Sequence, residues 1–146
     1  MTKLNIKIFY NLNRVLSLLV KGILNTKESK SKPGWSEAFT ILKEMMAFAE
    51  KLDIRNSLFI QLILKRSKVI FFLRKIKDSE ECLDWAESEL NALYSSKIFI
   101  GEEKNKLEYL QQKIYFQRAT IFYSGERYIE AANFLFKALV IWKIMN

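Results

Sequence analysis

The chain has 146 residues, half of them apolar and 14% aromatic, with one proline and four glycines, which excludes global disorder and suits one domain with a sizeable core and long regular elements. A single cysteine, Cys82, and no histidine exclude an internal disulfide, a zinc site and a Ser-His or Cys-His nucleophile, so neither catalysis nor a cofactor is expected, and the setting expected is reducing and cytoplasmic. The net charge of +8 favours acidic partners such as nucleic acid, anionic lipid or an acidic protein surface, while no apolar run nears the roughly 18 residues that would span a bilayer.

Residues 1–27 carry Lys3, Lys7, Arg14, Lys21 and Lys27 and no acid. With Leu4, Ile8, Leu12, Val15, Leu19 and Ile23 at helical spacing, they predict a basic amphipathic helix over residues 3–25. A mitochondrial targeting segment has the same look and would place the chain in that organelle. The single arginine and single serine in the segment favour a first structural helix instead. Residues 25–34, NTKESKSKPG, form a polar loop closed by Pro33-Gly34.

A second helix starts near Trp35 and carries Ala38, Ile41, Leu42, Met45, Met46, Phe48, Ala49 and Leu52. Asp53 is the expected N-cap of a third helix reaching Ile76 through Ile54, Leu58, Leu62, Val69, Phe72 and Leu73. Residues 58–64 and 69–73 are β-branched and aromatic enough for strands. They lack bounding turn residues, however, and 65–68 is no tight hairpin turn, so helix is preferred. Asp78-Ser79 reads as the next cap, with Glu81 at capping-box distance from Asp78. A fourth helix follows over 80–94 through Cys82, Leu83, Trp85, Ala86, Leu90 and Leu93. After a connector at 95–101, a fifth helix spans 102–123 with Leu107, Leu110, Ile114, Tyr115, Arg118, Ala119 and Phe122. A tight turn at Ser124-Gly125-Glu126 leads to a sixth helix over 127–144.

The expected fold is all-α: six helices in three antiparallel hairpins, at about 3–52, 53–95 and 101–146. The second helices resemble one another. Trp35-Ser36-Glu37-Ala38, Ser79-Glu80-Glu81-Cys82 and Tyr128-Ile129-Glu130-Ala131 open them, 44 and then 49 residues apart. Leu42, Ala86 and Leu135 come four residues after the small residue, and Met46, Leu90 and Leu139 eight after it. A period of this kind marks stacked hairpins, none of which buries its apolar face alone.

The last hairpin resembles the tetratricopeptide repeat family. Tyr115 stands at the bulky aromatic position, Ala119 at the small contact, Phe122 at the tyrosine, and Ala131, Leu135 and Ala138 at the small-large-small positions of the second helix. Arg118 departs from the usual leucine and Lys143 from the usual helix-ending proline. The middle hairpin fits at Leu73 and Cys82, with Ile70 and Glu89 in place of small residues. The first fits only over residues 35–46. The units are longer than the family's roughly 34 residues. The resemblance implies an α-solenoid with long first helices and a non-catalytic adaptor or scaffold that binds a partner protein in its groove. A clamp for a terminal carboxylate is not assigned: Lys113 could serve, but Gln117 stands where an arginine is needed.

Two surfaces are candidates for function. Lys65, Arg66, Lys68, Arg74, Lys75 and Lys77 concentrate charge on the third helix, and residues 53–77 carry seven basic side chains against Asp53, while residues 78–100 carry six acids against Lys97. These segments either neutralise each other across a seam or leave an anionic-partner surface. Exposed pairs would add only about 0–1 kcal/mol each. On the second surface, the last helix has Ile129, Phe134, Phe136, Val140, Ile141 and Trp142 outside the Ala131-Leu135-Ala138 seam or at its edge. A terminal repeat should show a polar outer face, so this helix is expected to dock on a partner chain or a second copy. The alternative is a basic RNA-associated component of a ribonucleoprotein, although no zinc-finger spacing or RNP-type motif is present. The carboxylates Glu80, Glu81, Glu102 and Glu103 stabilise helix starts.

Overall fold

The computed structural model describes residues 32–51 and 56–145. Among them lie five helices: α1 (Lys32–Lys51), α2 (Ser57–Phe72), α3 (Ile76–Ser96), α4 (Gly101–Ser124) and α5 (Tyr128–Met145). No strand occurs among the described residues, so the chain is all-α where described and 58–64 is helical. The helix expected over 3–25, most of the 25–34 loop and Asp53 lie outside the described residues.

Several boundaries differ from expectation, each for a local reason. α1 begins at Lys32, which brings Pro33 and Gly34 into its first turn. Proline is tolerated there because the first N–H groups have no intrahelical acceptor. α2 is capped by Asn56, whose Oδ1 accepts from the Leu58 amide at 3.0 Å and the Phe59 amide at 3.4 Å. The helix ends at Phe72 rather than Ile76, because Arg74 adopts a left-handed φ of 68°. α3 therefore starts at Ile76, and Ser79 is not its cap but fully buried. Asp78 falls in the first turn, where negative charge suits the helix dipole.

The turns that close the α2–α3 and α4–α5 hairpins are the same. In the first, the Arg74 amide donates to Phe71 at 2.9 Å and the Lys75 amide to Ile70 at 3.2 Å. In the second, the Glu126 amide donates to Tyr123 at 3.0 Å and the Arg127 amide to Phe122 at 2.9 Å. Both are Schellman turns. In each a charged residue rather than glycine takes the left-handed position, since Glu126 has φ 62° while the neighbouring Gly125 has φ −91°.

α1 packs on α2, α2 pairs with α3, and α4 seats against both members of that pair while carrying α5 on another side. The core runs through Leu42 and Met46 of α1, Phe59, Ile60 and Ile63 of α2, Leu83, Ala86 and Leu90 of α3, and Leu107, Leu110 and Ile114 of α4. The α2–α3 seam is fastened by Ser67 and Ser79, both wholly buried, each hydroxyl donating to the other's carbonyl at 3.0 and 2.8 Å. Small hydroxyls let the two helices approach closely while satisfying the buried polar atoms.

In the last hairpin Ala119, Ala131 and Ala138 are buried. Tyr115 and Phe122 are half-buried and flank Phe134, with ring centres at 6.0 and 5.5 Å and the Phe122 ring nearly parallel to it. Leu135, expected in this seam, is instead 45% exposed. The covered stripe of α5 runs 131, 134, 138, 141, 145, alternating steps of three and four, so Phe134 takes the large position and Leu135 falls beside it.

Candidate functional site

The six basic residues singled out on the third predicted helix do not form one patch. Arg66 turns toward α1: its guanidinium lies 5.3 Å from the centre of the Phe39 ring and donates to the Met46 sulfur at 3.8 Å. Arg74, Lys75 and Lys77 are exposed at the α2–α3 turn and the start of α3. Lys65 and Lys68 face α4. Asp78 and Glu81 of α3 line one pocket with Arg66 and Lys75. Arg118 of α4 takes two further acids of α3, donating to Asp84 and to Glu87, each at 2.8 Å. Burial opposes the charge on Arg118, but these hydrogen bonds outweigh it and hold the guanidinium above its ordinary range.

Between α2 and α4 lies a cleft of about 440 Å³. Gln61, Lys65, Lys68 and Phe72 lie along one face of α2, and Lys113, Phe116, Gln117 and Thr120 along one face of α4. Three lysines line the cleft, and no carboxylate lines it among the described residues. Partial burial, and then the neighbouring charge of Lys113, push the Lys65 ammonium below its usual range. The Lys113 ammonium also sits 4.8 Å from the centre of the Tyr109 ring. Phe71 and Phe72 meet edge to face at 5.5 Å. The volume is that of a ligand-sized pocket. The sequence pointed to Lys65 and Lys68, but not to Phe116, because only the fold sets α4 opposite α2.

The second surface is α5. Ala131 and Ala138 are its buried residues. Of the predicted docking residues, Phe134 and Ile141 are half-buried on the covered stripe, whereas Phe136 is 66% exposed and Val140 and Trp142 are also exposed. Ile129, Leu135, Leu139 and Ile144 are exposed as well. The sequence pattern pairs two of these positions with residues of α1 and α3. Leu42 and Met46 are buried in α1, with α2 packed on it. Ala86 and Leu90 are buried in α3, with α4 packed on it. The matching residues of α5, Leu135 and Leu139, stand open.

Cys82 is buried, and desolvation pushes its thiol up, against the pull of Arg66. Among the described residues no group of three His, Cys, Asp or Glu side chains is placed to hold a metal ion, and no helix is long and apolar enough to cross a membrane. No protein-family model, curated protein or solved structure matches the chain.

Proposed function

We propose that the chain is a non-catalytic interaction subunit of a larger assembly, built as a tetratricopeptide-like stack of hairpins, whose α5 receives an amphipathic helix of a partner protein. The observation that carries this reading is the exposure of Leu135 and Leu139 at positions whose counterparts in α1 and α3 are buried. An apolar stripe of this size is costly to leave in water at about 25 cal/mol per Å², and contiguous apolar patches mark interaction sites. The shared Schellman turns of the two hairpins and the seating of α4 on both α2 and α3 support the repeat reading.

The test is assembly. A chain with Leu135→Glu and Leu139→Glu should keep its helicity and melting temperature, because both side chains are exposed. Purified from its native cells, the unmodified chain should elute with a stoichiometric protein partner and the double variant alone. An unmodified chain that elutes alone would refute the reading.

A further inference from the structure

We propose that the α4–α5 hairpin seats a partner protein's amphipathic helix in the groove between α4 and α5, as the α2–α3 hairpin seats α4, and that this helix carries carboxylates along both flanks. The inference rests on the reading of the chain as an interaction subunit, and it names the seat and the chemistry of what fills it.

The two hairpins correspond residue by residue. Their left-handed turn residues, Arg74 and Glu126, lie 52 positions apart, as do Ile76 and Tyr128, which open α3 and α5. At the same interval Ser67 and Ser79, which fasten α2 to α3, fall on Ala119 and Ala131, and all four are buried. Ala86 falls on Ala138, and both are buried. The faces that hold each hairpin closed therefore match.

The faces that receive the next helix match in position and differ in cover. Leu64 and Phe71 of α2 line one recess with α4, and Leu83 of α3 lines another with Arg118 and Ile121 of α4. Leu64 and Leu83 are buried and Phe71 is half-buried. Their counterparts Phe116, Leu135 and Tyr123 are 54%, 45% and 67% exposed. Tyr109, Phe116 and Tyr123, all exposed, recur every seven residues along one face of α4. Tyr123 meets Tyr128 of α5 edge to face at 5.5 Å, so the stripes of the two helices join at the turn. The groove continues into the next hairpin the interface that α2 and α3 make with α4.

What α4 offers to its own seat describes the occupant. Leu107, Leu110 and Ile114 are buried there at steps of three and four, and Arg118 reaches Asp84 and Glu87. The counterparts of those two acids are Phe136 and Leu139, both exposed, so the occupant places an apolar side chain where α4 has its arginine. Charge sets the flanks. Lys113 stands one turn before Phe116 and Lys143 one turn after Leu139, both exposed, while the one carboxylate of α5, Glu130, is held by Arg127 at 3.0 Å. Carboxylates on the two flanks of the occupant meet these ammonium groups and fix its choice and orientation. A second copy fits less well, because its α5 brings the same lysines and its residues 1–27 carry five basic side chains and no acid.

The experiment is fluorescence anisotropy of the full chain with labelled peptides of about 20 residues, long enough to be helical, that share one leucine stripe and carry glutamate, glutamine or lysine on the flanks. The glutamate peptide should bind, and the lysine peptide about tenfold or more weakly. Phe116→Glu and Leu135→Glu should each weaken binding by about tenfold or more with helicity unchanged, because both side chains are exposed. The double change Lys113→Glu with Lys143→Glu should move the preference to the lysine peptide, and Lys104→Gln should leave it alone. Hydrogen exchange of the unmodified chain should slow in α4 and α5 when the glutamate peptide is added. The proposal is overturned if no peptide binds, if Phe116→Glu has no effect, if the three flanks bind alike, if sedimentation shows a dimer that Leu135→Glu dissolves, or if vesicles of phosphatidylcholine and phosphatidylserine bind α5 more tightly than the peptides. Binding that depends on Leu135 but on neither Phe116 nor flank charge sinks the groove and leaves the interaction reading standing.

Discussion

Ser67 and Ser79 lock α2 to α3 by exchanging hydrogen bonds, each hydroxyl donating to the other residue's main-chain carbonyl in a seam without solvent. Replacing Ser79 by alanine should lower the unfolding free energy by about 1 kcal/mol, the net worth of one such bond. Ser79→Leu should cost about 1–3 kcal/mol by overpacking the helix crossing. Were Ser79 an exposed helix cap, leucine there would cost no more than alanine, since each would lose only the cap. Urea denaturation of the two variants separates these cases.

The left-handed turn residues make a second prediction, this time of stabilisation. Arg74 and Glu126 hold φ values of 68° and 62°, a region that costs a non-glycine residue about 1–2 kcal/mol. Arg74→Gly and Glu126→Gly should therefore each raise stability by roughly 0.5–1 kcal/mol. Gly125→Ala should be nearly neutral, because Gly125 has an ordinary φ of −91° and the nearest atoms to an added Cβ are 3.7 and 3.8 Å away. Thermal melts of the three variants test the assignment of the left-handed residue.

Alkaline pH should weaken the fold. Burial pushes up the Cys82 thiol and the Tyr94 and Tyr115 hydroxyls, aided at Tyr94 by Glu108 and at Tyr115 by Glu87. A raised group contributes stability that is complete below its unfolded value, 9.0 for the thiol and 10.0 for the phenols, and is lost as pH rises through the folded one. Lys65 works in the opposite direction. Its charge is penalised at neutral pH and the penalty lifts as pH climbs toward 10.5. The loss begins at about pH 9 with the thiol, and Cys82→Ala should remove this earliest part of it. Denaturant midpoints from neutral to alkaline pH measure the slope.

The helices themselves were legible because apolar side chains recur at three and four residues in 58–72, 80–94 and 102–123. Periodicity also placed Leu83, Leu90, Leu107, Leu110 and Ile114 inward, where they are buried. The α2–α3 turn was not legible, since residues 73–75 contain neither glycine nor proline and the reversal falls on an arginine. Nor was the role of Ser79, which local spacing made a cap and tertiary packing made a fastener. The register of α5 misled for a different reason. Leu135 and Leu139 follow the repeat pattern as faithfully as Leu42 and Met46, and pattern alone cannot tell that no described helix packs on them. The cleft was half visible: its lysines stand out in the sequence, but their meeting with Lys113 and Phe116 depends on α2 and α4 packing together.

The most direct measurement is photo-crosslinking from α5 in living cells, with a benzophenone side chain placed at Leu139, at Phe136 or, as the control, at exposed Lys104 on α4. The account predicts one adduct of defined mass from Leu139 and Phe136, abolished by Leu135→Glu, and none from Lys104. No adduct at Leu139, or equal labelling at Lys104, would contradict it.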